Sequence, residues 1–228
     1  MTFEHNIYDF SFNDLLCETK ETGRTYETPK GAKYPSITTV LGILSEDAIK
    51  AWRKRVGYEE ANRISRQAAA RGSKTHDALE LFVKNIEPTL ETPLINYLYK
   101  QIAYILEENL TEVNGIEQAL YSNHLGVAGR VDLVGVFNGK RSIIDFKTSS
   151  KPKKKAFCES YFCQETFYAI AWEELTGQPI TQLVTIIANE EGPQPQIFVE
   201  HRDTWAPKLI ETIKMYKDRK ANDQGSAE

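Results

Sequence analysis

Two apolar, β-branched runs joined by Asn138-Gly139 constrain this chain more than any other feature. Asn and Gly both tolerate the positive φ angles of a two-residue type I′ turn, so the runs at Val127–Phe137 and 141–147 are predicted to fold into one antiparallel hairpin. A third strand is expected at 116–122, entering through the turn Asn123-His124-Leu125-Gly126. Strand side chains alternate faces, which puts Ile143, Asp145 and Lys147 on one side and Ile144 and Phe146 on the other. Asp132 interrupts Val131, Leu133, Val134 and Val136 on the facing strand, where an unpaired carboxylate would be expensive to bury.

The rest of the chain frames this β region with helices. Residues 1–35 are polar and turn-rich, an irregular arm with a short hairpin. Helical spacing over 45–84, with Ser45 as N-cap and breaks at Gly57 and Gly72, predicts three short helices, and a further helix is expected at 93–108. Beyond the hairpin come a helix over 155–176 ended by Gly177, strands at 180–188 and Gln196–His201, and an amphipathic helix over 204–220. A chain of 228 residues with 41% hydrophobic content can bury one substantial core, so the expectation is an α/β (α+β) fold. Residues 1–110 would be an N-terminal arm and helical region integrated with a core over 111–228.

The D-x-K spacing puts the Asp145 carboxylate beside the Lys147 ammonium, and the hairpin brings Asp132 within reach of a common point. Two carboxylates on one cation make a hard oxygen site suited to Mg²⁺ or Mn²⁺. Such a site would polarise a scissile phosphate, with Lys147 orienting the attacking water or stabilising developing charge. The plainer reading of a lone D-x-K is a surface ion pair worth about 0–1 kcal/mol. The apolar neighbours of both aspartates tip the balance away from a surface pair, because buried acids need a metal or a base beside them.

Several motifs together carry a resemblance. Gly129-Arg130-Val131-Asp132-Leu133-Val134-Gly135 and Ile144-Asp145-Phe146-Lys147-Thr148-Ser149 resemble the central motifs of RecB-like PD-(D/E)xK exonucleases, in particular the branch of mitochondrial genome maintenance exonucleases and their phage relatives. Gln164 and Tyr168 are similar to that family's Q-x-x-x-Y element, and Arg71-Gly72-Ser73-Lys74-Thr75-His76 resembles its upstream glycine-to-histidine motif. Glu117 stands where the family has an acidic residue, and Tyr34-Pro35-Ser36-Ile37-Thr38-Thr39-Val40-Leu41 resembles its N-terminal P-S-x-T-T-x-L stretch. The resemblance covers roughly residues 34–190, with Val131 in place of the superfamily's proline and Ser73 in place of a frequent threonine. It implies a restriction-endonuclease-like core, a central mixed sheet flanked by helices, and a DNA exonuclease acting on single-stranded ends or flaps. His76, Asp132, Asp145 and the Phe146 carbonyl would hold Mg²⁺ or Mn²⁺; Asp132, Asp145, Lys147 and Glu117 would form the catalytic set, with Gln164 and Tyr168 positioning DNA or the lysine.

Candidate DNA contacts are Ser36 and Thr38 in the N-terminal motif, Arg53, Lys54, Arg71 and Lys74 before the histidine, Arg130, and Lys153, Lys154 and Lys155 after the catalytic strand; Trp52 or Tyr58 would stack a base. A formal net charge of −4 argues against nonspecific coating of nucleic acid, which rests on neutralising many phosphates. Three cysteines, Cys17, Cys158 and Cys163, fall short of the four thiolates of an iron–sulfur cluster, so none is expected. Neither a transmembrane run nor a signal segment is visible, which suits the cytoplasm of a bacterium or a phage-infected cell. The competing readings are a catalytically silent nucleic-acid-binding module and a structure-specific or sequence-specific endonuclease.

Overall fold

The computed structural model describes residues 2–12 and 14–225. In chain order the elements are β1 (Glu4–His5), β2 (Leu16–Lys20), β3 (Gly23–Glu27), β4 (Lys33–Pro35), α1 (Ile37–Leu41), α2 (Glu46–Val56), α3 (Tyr58–Val83), α4 (Pro93–Asn109), β5 (Leu110–Ser122), β6 (Val127–Phe137), β7 (Lys140–Ser149), α5 (Glu159–Thr176), β8 (Gln182–Asn189), β9 (Gln196–His201) and α6 (Arg202–Gly225). Six strands form one mixed sheet in the order β1-β5-β6-β7-β8-β9. The β5-β6-β7 meander is antiparallel, β7 and β8 run parallel across the α5 crossover, and β9 returns antiparallel at the edge.

Helices cover both faces. On one face α3 and α4 bring Leu79, Leu98, Ile102 and Leu106 against Leu133, Ile144, Phe146, Val184 and Ile186. On the other, α1, α5 and α6 bring Ile37, Val40, Phe167, Trp172 and Leu209 against Val131, Val134, Ile143 and Leu183. Alternation therefore holds along β7, with Ile143 on the α5 side and Ile144 and Phe146 on the α3 side. This is the restriction-endonuclease-like arrangement, a mixed sheet flanked by helices.

Local chemistry sets the boundaries. Asn138 and Gly139 adopt φ of 50° and 74°, as a type I′ turn requires. Ser36 caps α1 by accepting from the Thr39 amide at 3.0 Å, Thr92 caps α4 by accepting from Ile95 at 3.2 Å, and Gly177 ends α5 in the left-handed conformation.

Three expectations are corrected. The arm 1–35 is more ordered than a short hairpin: β1 joins the main sheet parallel to β5, and β2-β3-β4 form a separate antiparallel meander. Gly72 does not break the helix. α3 runs unbroken for 26 residues, its C-terminal half held on the sheet through Ala78, Leu79 and Val83, and that packing outweighs the roughly 1 kcal/mol a mid-helix glycine costs. Ser45 precedes α2 but does not cap it; its hydroxyl donates back to the Gly42 carbonyl.

Gly129 on β6 has a packing reason to be glycine. A Cβ there would stand 2.9 Å from Tyr168 Cε1 and 3.0 Å from Ile37 Cγ2, both in fully packed surroundings. Gly129→Ala should therefore destabilise the fold by about 1–3 kcal/mol, lowering the Tm by roughly 2–12 °C; a thermal melt with unchanged midpoint would contradict this packing account.

Candidate active site

The hairpin opens where its acidic residues stand. Backbone pairing between β6 and β7 runs from Phe137↔Lys140 at the turn to Leu133↔Ile144, and the next position in register would set Asp132 against Asp145. Instead, the Asp132 side chain accepts a hydrogen bond from the Phe146 amide at 2.7 Å, taking the place of a ladder bond. Alternation slips at the same point, since Val131 packs on the α5 side and Leu133, two residues on, on the α3 side. The β5 side is disturbed too: Ile116 pairs with Leu133 and Gln118 with Val131, but Glu117 between them adopts φ 46° and leaves the ladder.

These distortions gather His76 from α3, Glu117 from β5 and Asp132 from β6. One ligand atom of each lies within 4.8 Å of the other two, and His76 Nδ1 stands 3.5 Å from Asp132 Oδ1. Ligands of one small divalent ion at about 2.0–2.2 Å lie roughly 3–4.4 Å apart, so shifts of a few tenths of an ångström close the set. One imidazole and two carboxylates are suitable donors for such an ion.

Asp145 stands outside that group. Its carboxylate pairs with Lys147 and accepts from Gln164 Nε2 at 3.2 Å, and the same amide donates to the Tyr168 hydroxyl at 3.2 Å. Lys147 lies over the Tyr161 ring at 5.2 Å from its centre. Asp132 turns to His76 and Glu117 and Lys147 holds Asp145, while the two aspartates stay near enough for the Asp132 charge to act on Asp145. The D-x-K pairing and the placement of Gln164 and Tyr168 on one helical face beside it are as the spacing predicts.

Packing so many charges together shifts them all. Burial alone would lower the His76 pKa, but Asp132 beside it raises it to about 9. Burial likewise disfavours the Lys147 cation, and Asp145 and Asp132 overcome this, bringing it to about 12. Burial, opposed by Lys147 and reinforced by Asp132, pushes Asp145 to about 6. Burial disfavours charge on Asp132 as well, yet His76, Lys147 and the Phe146 amide hold it below the ordinary value. Glu117 rises to about 7 through burial and the Asp132 charge.

The candidate DNA contacts are more dispersed. Ser36 is buried as a helix cap, while Thr38 is exposed and hydrogen-bonded to it at 3.0 Å. Arg53 binds Asn62 and lies over Tyr58, Arg71 pairs with Glu190, Lys74 with Glu91 and Lys155 with Glu200. Lys54 and Lys154 are exposed, and Lys153 lies 6.0 Å from the centre of the Tyr161 ring. Arg130 is held by Asp14 and by the Glu117 carbonyl. Sequence reasoning missed Glu165, fully buried one residue after Gln164 and bonded to Thr185, the cross-strand neighbour of Asp145. Burial and the Asp145 charge raise its pKa well above the carboxylate range. The signal was available, since Glu165 falls between the apolar pairs Phe162-Cys163 and Phe167-Tyr168 of α5.

With the sheet and this cluster in view, comparison with known proteins gives the class: the PD-(D/E)XK nuclease superfamily profile matches residues 50–226, and the chain belongs to that superfamily. Among individual relatives it is similar to mitochondrial genome maintenance exonuclease 1 of Mus musculus, 30% identical over 130 residues that cover 52% of this chain and 38% of that protein. The Homo sapiens protein of the same name is 26% identical over 144 residues, 58% of this chain and 40% of that one. The chain thus matches well under half the length of these relatives.

The folded state binds the His76 proton more tightly than the unfolded chain does. That stabilisation is complete below about pH 6.5 and is lost as pH rises through about 9, whereas the cost of ionising Glu117 is already incurred near pH 7. In EDTA, the Tm should fall from pH 7 to 9, and His76→Asn should flatten that stretch; parallel profiles for the two proteins would contradict the assignment.

Proposed function

We propose that the chain is a Mg²⁺- or Mn²⁺-dependent DNA exonuclease acting on single-stranded ends or flaps. The observation that carries this reading is the opened β6–β7 hairpin, with the His76–Glu117–Asp132 donor set on one side and the Asp145–Lys147 pair on the other. His76, Glu117 and Asp132 would hold the ion, with Asp145 and the Phe146 carbonyl as further candidate donors. When bound, the ion supplies Lewis-acid stabilisation of charge on the scissile phosphate.

Lys147 stays charged at neutral pH because of the carboxylates around it, and its ammonium orients the attacking water and offsets negative charge building on phosphate oxygens. Asp145 keeps that ammonium in place, and Gln164 fixes Asp145 while joining it to Tyr168. Tyr161 limits the ammonium on a further side.

The preference for ends rests on α2 and the first half of α3. α2 contains no buried residue, and from Asn62 to Ala70 only Ala68 is less than exposed. This helical arm carries Lys50, Arg53, Lys54, Arg55, Arg63 and Arg66, and on this reading it lies along a single strand and excludes a duplex. In the cell such an enzyme would act in DNA replication, recombination or degradation, in a bacterium or phage-infected host. No helix among the described residues is long and apolar enough to cross a membrane.

The direct test is degradation of end-labelled linear and covalently closed circular DNA, single- and double-stranded, with Mg²⁺, Mn²⁺ or EDTA. Linear single strands should be lost in either metal, circles should survive, and Asp145→Ala and Lys147→Ala should each lower the rate at least about a hundredfold. Intact linear DNA in both metals would favour a silent binding module, and cut circles an endonuclease. Charge removal at Lys153, Lys154 and Lys155 together should weaken single-strand binding in EDTA and reduce the slope of log affinity against log salt by as much as about 2; an unchanged slope would remove these lysines from the interface.

A further inference from the structure

Glu117 holds a backbone conformation that a glutamate does not choose. A φ of 46° is left-handed, costing about 1–2 kcal/mol for a residue with a Cβ, and it sits in mid-strand rather than at a turn. The side chain that engages this peptide is Arg130. Arg130 Nη1 donates to the Glu117 carbonyl, while Nη2 donates to both carboxylate oxygens of Asp14, at 2.6 and 2.8 Å. The Asp14 Oδ1 also accepts from the Leu15 amide at 2.7 Å, and Leu15 is buried with Tyr26, Ala119 and Ala128. The carboxylate is therefore anchored by apolar packing of the next residue.

The guanidinium is a planar fork, able to divide its donors between two acceptors in fixed geometry. Here one prong fixes the peptide that aims Glu117, and the other is tied to the N-terminal segment just before β2. Both engagements direct the arginine away from a phosphate role.

We propose that Arg130, held by Asp14, is a positioning residue that locks the Glu117 backbone and so aims its carboxylate at His76 and Asp132. The proposal rests on the metal-site reading above. It also makes the N-terminal segment part of the metal site, although Asp14 touches none of the three donors.

The test is Mn²⁺ binding without DNA, followed by the paramagnetic resonance signal of free Mn²⁺, for the wild type, Arg130→Gln, Asp14→Asn, Glu117→Gln and the Arg130→Gln/Glu117→Gln double variant. Single-strand binding in EDTA over a salt series, and thermal melts, run alongside. Arg130→Gln should weaken Mn²⁺ affinity at least about tenfold, as loss of a residue supporting a metal ligand does. Asp14→Asn should act in the same direction with a smaller loss, and because Asp14 is more than half exposed it keeps the test open if Arg130→Gln fails to fold. The double variant should lose little beyond Glu117→Gln alone, since both changes act through one carboxylate. DNA affinity in EDTA should not move.

Mn²⁺ affinities of Arg130→Gln and Asp14→Asn within twofold of wild type would overturn the inference while leaving the metal site standing. So would a fully additive loss in the double variant, or a weaker, less salt-sensitive DNA complex. A wild type that binds no Mn²⁺ would overturn the metal-site reading, and this inference with it.

Discussion

The hydrogen bond from the Phe146 amide to the Asp132 carboxylate is where sheet and site meet. An antiparallel pair normally satisfies each inward amide with a carbonyl from its neighbour. Here a side chain substitutes, the strands part without leaving the Phe146 N–H unpaired, and a space opens inside the sheet for groups from α3 and α5. Asp132 then presents its other oxygen to His76. Had the ladder continued, Asp132 and Asp145 would face each other directly as like charges, an arrangement that destabilises cross-strand pairs.

A buried cluster of ionisable groups persists only when its charges nearly cancel. Two carboxylates, Asp132 and Asp145, face two cations, His76 and Lys147, while the raised pKa values of Glu117 and Glu165 keep further negative charge low. A divalent ion at His76, Glu117 and Asp132 would replace the protons of His76 and Glu117, so the metal-free balance is one of protons standing where a metal can stand.

Much of this was legible in sequence, because the elements that carry it are strongly patterned. The Asn138-Gly139 turn, the bounds of β6 and β9, the α5 stop at Gly177 and the shared face of Gln164 and Tyr168 all follow from local rules. What escaped was decided elsewhere in the chain. β1 is two exposed residues with no period of their own, and β2 is exposed throughout, so neither has a hydrophobic signature. Gly72 continues a helix because residues further along it are packed. The Arg130–Asp14 pair spans 116 positions, and no local pattern links its members. The left-handed Glu117 lies inside a strand, where no turn motif in the neighbouring residues marks it.

α3 has one more consequence. Its 26 residues span about 39 Å, and the same continuous rod that is exposed near Tyr58 carries His76 in its packed half. An α-helix resists stretching and bends little over a few turns, so a push or pull at the exposed end is delivered to the imidazole rather than absorbed between them. The weakest point of this lever is Gly72, four residues before His76, where no side chain stiffens the turn and a Cβ would still clear Thr148 by 3.9 Å. Mechanical load on the arm and the position of the His76 imidazole are, through this one helix, the same coordinate.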